Sequence, residues 1–265
     1  MKRLLLVVAM LGAFAVSRAA DDSWAKARIE KSPRHLEWIT VKHDNREVGA
    51  YVGYPEVKDK APAVIIIHEI FGLSDWARSV VDEFAEAGYI AIAPDLLWGL
   101  GAKGGGTSEL NAAEIGQKIR TLPADQITAD LNAAADYVAK LPACNGKIVV
   151  IGFCWGGGES FRYATNNPSL KAAFVCYGGA PKADALAKIK APVYGFYGGN
   201  DARISATVPA TTDAMKAAGK TYEPVIYDGA GHGFMRSGEA PDASEANKKA
   251  HDQAWAKIKE VLGKI

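Results

Sequence analysis

From about residue 62 to the C-terminus, short β-branched runs alternate with longer segments of helical apolar spacing. That alternation is the pattern of βαβ units, so an α/β fold on a mostly parallel sheet is expected. Candidate strands are 35–43 and 48–54, read as an opening hairpin, followed by 63–68, 89–93, 147–152, 172–177, 193–197 and 223–227, about eight in all. Val64, Ile65, Ile66 and Ile67 form a continuous rather than alternating apolar run. A strand covered by helices on both faces requires such a run, which places it at the sheet centre. Helices are expected over 75–87, 124–141, 156–165, 205–218 and 244–262. The first starts beside Ser74 and Asp75 and stops at Gly88, as helix start and stop chemistry predicts. The stretch 97–108, with Gly99, Gly101 and Gly104 to Gly106, has no period and reads as an exposed loop. With no internal repeat or linker, residues 20–265 are expected to form a single domain.

Residues 1–19 interrupt this pattern. Met1-Lys2-Arg3, the apolar run from Leu4 to Val16, and Ser17-Arg18-Ala19 have the three-part plan of a secretory signal peptide, with Ala20 as an alternative last residue removed. The run is shorter than the roughly 20 apolar residues of a spanning helix. The mature chain is therefore expected to be periplasmic or secreted and free of the membrane. Loss of Lys2, Arg3 and Arg18 changes the balance from 31 basic and 30 acidic residues to 28 and 30. Such a chain offers no basic cluster for nucleic acid or an anionic membrane. Its three cysteines, Cys144, Cys154 and Cys176, are too few and too odd in number for a disulfide framework. A free thiol in an oxidising compartment must be buried or used. Cys176, within a candidate strand, and Cys144, just before another, read as packing residues; a disulfide between them stays open.

Cys154 lies in Gly152-Phe153-Cys154-Trp155-Gly156, between a candidate strand and a candidate helix, as a cysteine version of the G-x-S-x-G nucleophile elbow. A helix N-terminus favours the thiolate and burial opposes it. The competing reading is a buried core cysteine before a glycine-rich turn. Phosphate binding is disfavoured, because neither G-x-x-x-x-G-K-[ST] nor G-x-G-x-x-G is present. Downstream, Gly198-Gly199-Asn200-Asp201 and Gly229-Ala230-Gly231-His232-Gly233 follow two further strands. Taken singly, Asp201 reads equally as a turn residue and His232 as a loop histidine. Together, three loops at the carboxyl ends of strands present nucleophile, acid and histidine in the α/β-hydrolase order, which outweighs those readings. Asp228 is the rival acid but stands too close in sequence to approach the ring from its far side. The central strand ends in His68-Glu69-Ile70-Phe71-Gly72, where this fold supplies an oxyanion-hole amide. Gly72 occupies the place of the second histidine of H-E-x-x-H, so no metal or other cofactor is expected, and His68 reads as a hydrogen-bonded brace.

These motifs, with Pro94-Asp95-Leu96 and Phe234, give residues 45–262 a pattern that resembles the dienelactone hydrolase family. The resemblance implies an α/β-hydrolase with Cys154 as nucleophile, His232 as base and Asp201 as the residue that orients it. It further implies that Glu69 contacts the thiol and helps ionise it, and that the backbone amides of Ile70 and Trp155 form the oxyanion hole. From the residues alone, Glu69 is a surface carboxylate or, beside the thiol, a like charge that suppresses thiolate. Arg236 matches an arginine that holds the substrate carboxylate in the family, and Trp98 and Phe234 complete the expected substrate-binding set. The sequence departs at Gly233, where the family commonly has serine, and in 97–102, which lacks a second arginine; Lys103 is the local substitute. The expected partner is a small ester or lactone, handled by a monomer or weak homodimer. The alternatives are a carboxylesterase or thioesterase of another substrate class, and a non-catalytic periplasmic thiol or binding protein; no C-x-x-C supports a redox role.

Overall fold

The computed structural model describes residues 22–265, so the expected leader lies outside the described residues. One eight-stranded sheet organises the chain: β1 (Leu36–His43), β2 (Arg46–Gly53), β3 (Ala61–Ile67), β4 (Ile90–Pro94), β5 (Cys144–Phe153), β6 (Ala172–Cys176), β7 (Val193–Gly198) and β8 (Tyr222–Tyr227). Their order is β1-β2-β4-β3-β5-β6-β7-β8. The β1–β2 hairpin is antiparallel, β2 joins β4 antiparallel, and every later pairing is parallel. The expected hairpin, strand number and central position of β3 are all present.

Helices pack on both faces. In chain order they are α1 (Ser23–Lys31), α2 (Asp75–Glu86), α3 (Ala112–Ile119), α4 (Ala124–Lys140), α5 (Trp155–Asn166), α6 (Ala183–Leu186), α7 (Ala202–Ser205), α8 (Val208–Ala217), α9 (Phe234–Ser237) and α10 (Glu245–Leu262). The two-residue period of a strand sends Ile65 and Ile67 of β3 to one face and Val64 and Ile66 to the other. The first pair packs with Leu131 and Val138 of α4 and Phe161 of α5. The second packs with Trp76, Val80 and Phe84 of α2 and Ile258 of α10. All of these residues are buried, and each large side chain removed from water contributes about 1.5–3 kcal/mol. In α2, Trp76, Val80 and Phe84 recur at i, i+4 and i+8, and the Ser74 hydroxyl accepts a hydrogen bond from the Ala77 amide at 3.3 Å.

The helices differ from expectation. The helix expected over 205–218 is α8, which starts three residues later with Pro209 in its first turn. Helices α1, α3, α6, α7 and α9 were not anticipated. The glycine-rich stretch is a loop as expected, and it is pinned: the Glu109 carboxylate accepts from the amides of Lys103 and Gly105, and Asp95 accepts from the amide and hydroxyl of Thr107. Cys144, Cys154 and Cys176 are all free thiols, which removes the open disulfide.

Candidate active site

Parallel strands deliver their carboxyl ends, and the loops that follow, to one edge. At the end of β5 the chain turns directly into α5, and Cys154 sits on the turn at φ 56° and ψ −116°. A non-glycine residue there is strained by on the order of 1–3 kcal/mol. The turn closes only because its neighbours lack side chains: a Cβ on Gly152 would come within 1.9 Å of the Gly156 carbonyl oxygen, and one on Gly156 within 2.3 Å of the His68 carbonyl oxygen. The Cys154 amide donates to the Cys176 carbonyl at 3.0 Å, tying the turn to the end of β6. Tyr177, the next residue, is itself at φ 42°. Strain is thus held on both sides of the thiol.

The loops after β7 and β8 are cross-linked. The Gly199 amide donates to the Tyr227 carbonyl at 2.8 Å, Asn200 donates through its amide to Ala230 and through its side chain to Gly229, and the Gly231 amide donates to Asn247 of α10 at 2.9 Å. So held, His232 places Nε2 3.1 Å from the Cys154 sulfur and Nδ1 2.6 Å from Asp201 Oδ2. Asp201 is buried and the histidine ring partly exposed. The Tyr177 ring meets His232 edge-on at 5.0 Å between centroids, restricting the imidazole. The Trp155 and Ile70 amides both face the sulfur.

Burial, first, and the Glu69 charge, second, push the Cys154 thiol up to about 11; the two amides and Arg203 oppose them. Glu69 is buried behind the thiol, and burial raises its carboxyl to about 7 against the pull of Arg236 and Tyr177. His68 is neutral: burial lowers its affinity for a proton, its Nε2 accepts from the Leu96 amide at 3.3 Å, and Nδ1 lies 2.8 Å from the Glu69 carbonyl. Its ring stacks on Trp155 at 5.7 Å, so it braces both amide-bearing loops.

The three expected substrate-binding residues are not on the cavity wall. Arg236 turns inward, with Nε 3.5 Å from Glu69, Nη1 3.7 Å from Asp22, and its guanidinium over the Phe71 ring. Phe234 is fully buried between Tyr177 and Tyr227, because as the first residue of α9 it points into the core. Trp98 covers Gly49 of β2 and meets Trp38, away from the thiol. Lys103 is exposed and absent from the wall. Beside Cys154 and His232 opens a cavity of about 540 Å³ whose wall includes Tyr177, Pro181, Arg203 and Ile204. Sequence reasoning passed over Tyr177 and Arg203, although Arg203 stands only two residues after Asp201.

A parallel-rich sheet, a strained cysteine elbow and helices on both faces define an α/β-hydrolase fold. The profile described as the dienelactone hydrolase family matches residues 48–265, and the chain belongs to that family. A Methylorubrum extorquens protein provisionally named a carboxymethylenebutenolidase is 34% identical over 210 residues, which are 74% of this chain and 71% of that one. A Salmonella typhimurium protein of the same provisional name is 33% identical, with 83% and 84% covered. The crystal structure of a provisionally named dienelactone hydrolase from Klebsiella pneumoniae superposes with a TM-score of 0.77 at 28% identity, over 88% of this chain and 99% of that one. The chain is therefore a hydrolase of the dienelactone hydrolase type.

Proposed function

We propose that this hydrolase cleaves a small ester or lactone with Cys154 as nucleophile, His232 as base and Asp201 as the group that orients the base. The observation that carries the proposal is the unbroken contact from sulfur to imidazole to buried carboxylate, at 3.1 and 2.6 Å. His232 Nε2 takes the thiol proton as sulfur bonds to the substrate carbonyl carbon. The carbonyl oxygen becomes an oxyanion before the Trp155 and Ile70 amides. As the C–O bond to the leaving group breaks, the proton on Nε2 passes to the departing oxygen, leaving a thioester on Cys154. Water then gives a proton to His232 and its oxygen to the acyl carbon; the carboxylic acid departs and the thiol recovers its proton.

A raised thiol suits this sequence, because proton and bond transfer are coupled and little free thiolate waits to be oxidised. Acid-quenching a reaction with a p-nitrophenyl ester and weighing the peptides tests the intermediate. The acyl mass is expected on the Cys154 peptide; acyl mass on another side chain would reject the assignment. The reading also takes residues 1–19 as a cleaved leader and the mature chain as periplasmic or secreted, supported by their three-part plan. N-terminal sequencing of exported protein should begin at Ala20 or Asp21, and an intact Met1 would oppose it.

A further inference from the structure

The wall beside the thiol carries a cation that the family comparison did not bring forward. Among the arginines near Cys154, Arg236 is committed to Glu69 and Asp22 and does not line the cavity. Arg162 does line it, but its Nε donates to Glu159 at 2.6 Å, its Nη1 donates to the Thr128 hydroxyl at 2.9 Å, and its remaining Nη2, though without a partner among the described residues, is buried. Arg203 also lines it, is exposed, and makes no side-chain hydrogen bond or ion pair among the described residues. Its position is nevertheless fixed. Asp201 immediately precedes helix α7, the Ser205 amide donates to the Asp201 carbonyl at 2.8 Å, and the Ser205 hydroxyl donates to the Gly198 carbonyl at 2.6 Å. The backbone bearing Arg203 is thereby registered to the carboxylate that holds His232.

Apart from Glu159, which is paired with Arg162, the remaining wall is largely apolar, with Ile70, Pro181 and Ile204 among its lining. At about 540 Å³ the cavity is within the usual range for small-molecule sites. A planar guanidinium with no partner among the described residues, at the rim of a largely apolar cavity, matches a carboxylate in both charge and geometry. We infer that Arg203 is a specificity-determining residue, holding a carboxylate on a substrate whose apolar body fills this cavity. The inference rests on the hydrolase reading and deepens it by moving the anion site from Arg236, on the inner side of Glu69, to α7. The Arg203 charge also reaches the thiol and eases its ionisation, in keeping with its place at the reacting end of the cavity.

Two readouts test it. In the first, p-nitrophenyl hydrogen glutarate and its methyl-capped neutral counterpart are hydrolysed by the parent, Arg203→Gln and Arg203→Lys. The ratio of kcat/KM for the anionic over the neutral ester is expected to fall roughly tenfold in Arg203→Gln, with partial recovery in Arg203→Lys. In the second, the rates of Cys154 alkylation by iodoacetate and iodoacetamide are compared in the same proteins, and their ratio is expected to fall likewise in Arg203→Gln. Ratios that stay at the parent value in both would overturn the inference. Failure of the parent to hydrolyse either ester would remove the hydrolase reading, while the alkylation ratio would still decide whether Arg203 serves carboxylates.

Discussion

Glu69 is the residue whose two readings diverge most. A carboxylate that helps ionise the thiol lowers the thiol's proton affinity, whereas a like charge fixed beside it raises that affinity. The placement favours the second: Glu69 is second only to burial in pushing Cys154 up. Glu69→Gln is therefore expected to move the midpoint of iodoacetamide labelling of Cys154 to lower pH and to increase peroxide sensitivity at neutral pH. A midpoint that moves to higher pH would return Glu69 to the ionising role. At this scale Cys154, Asp201 and His232 were legible, because glycine-flanked residues at strand ends have little freedom in where they project. Phe234, Trp98 and Arg236 do not line the cavity beside the thiol, because sequence adjacency to a motif says nothing of side-chain direction. Phe234 is two residues from His232 yet faces the core.

Among the elements, α1 shows what periodicity overlooks. Only Ala25 of its nine residues is buried, so no apolar stripe marks it. Charge docks it instead: Arg28 Nη1 stands 2.5 Å from Glu83 of α2 and 2.9 Å from Glu239 beyond α9, and Asp22 just before it reaches Arg236. Trp76 Nε1 also donates to Glu239 at 3.0 Å. Arg28→Ala would take from Glu83 its cation and leave Glu239 with Trp76 and His251 alone, and should cost about 2–3 kcal/mol, read as a lower urea midpoint at neutral pH. An unchanged midpoint would mean that α1 is not held through this pair. By contrast, α3 left a signal that was not used. Asn111 and Glu114 form a reciprocal capping box ahead of Ile115 and Ile119, a pattern present in the sequence. The strands and the longer helices were legible because their apolar residues face a continuous core.

For the whole molecule, the buried carboxyls set the pH dependence of stability. Burial raises Glu69 to about 7, and burial together with Glu239 raises Glu83. Both bind protons more tightly folded than unfolded, so the stability they contribute is present below the ordinary carboxylate range and lost as pH rises through their folded values. His251, which burial would lower but the Glu239 carboxylate 3.5 Å from its Nε2 raises on balance, loses its contribution in the same direction, above the usual imidazole range. Asp82, lowered by Arg34 and Ser32, acts oppositely and loses its contribution only in acid. The Tm should therefore fall between about pH 5 and pH 8, and Glu69→Gln should flatten the decline. A Tm that rises over this interval in the parent would contradict the buried-carboxyl account. The same sheet that buries these groups brings the β5, β7 and β8 loops to one edge, where the cysteine, acid and histidine meet.

The central claim is that Cys154 forms the bond to substrate, and the most direct test compares hydrolysis of a p-nitrophenyl ester and a carboxylated enol-lactone by the parent and by Cys154→Ala. The account predicts hydrolysis of both by the parent and a loss in kcat of roughly 10⁴-fold or more in the variant, with the fold retained by circular dichroism. Turnover by folded Cys154→Ala within tenfold of the parent would contradict it.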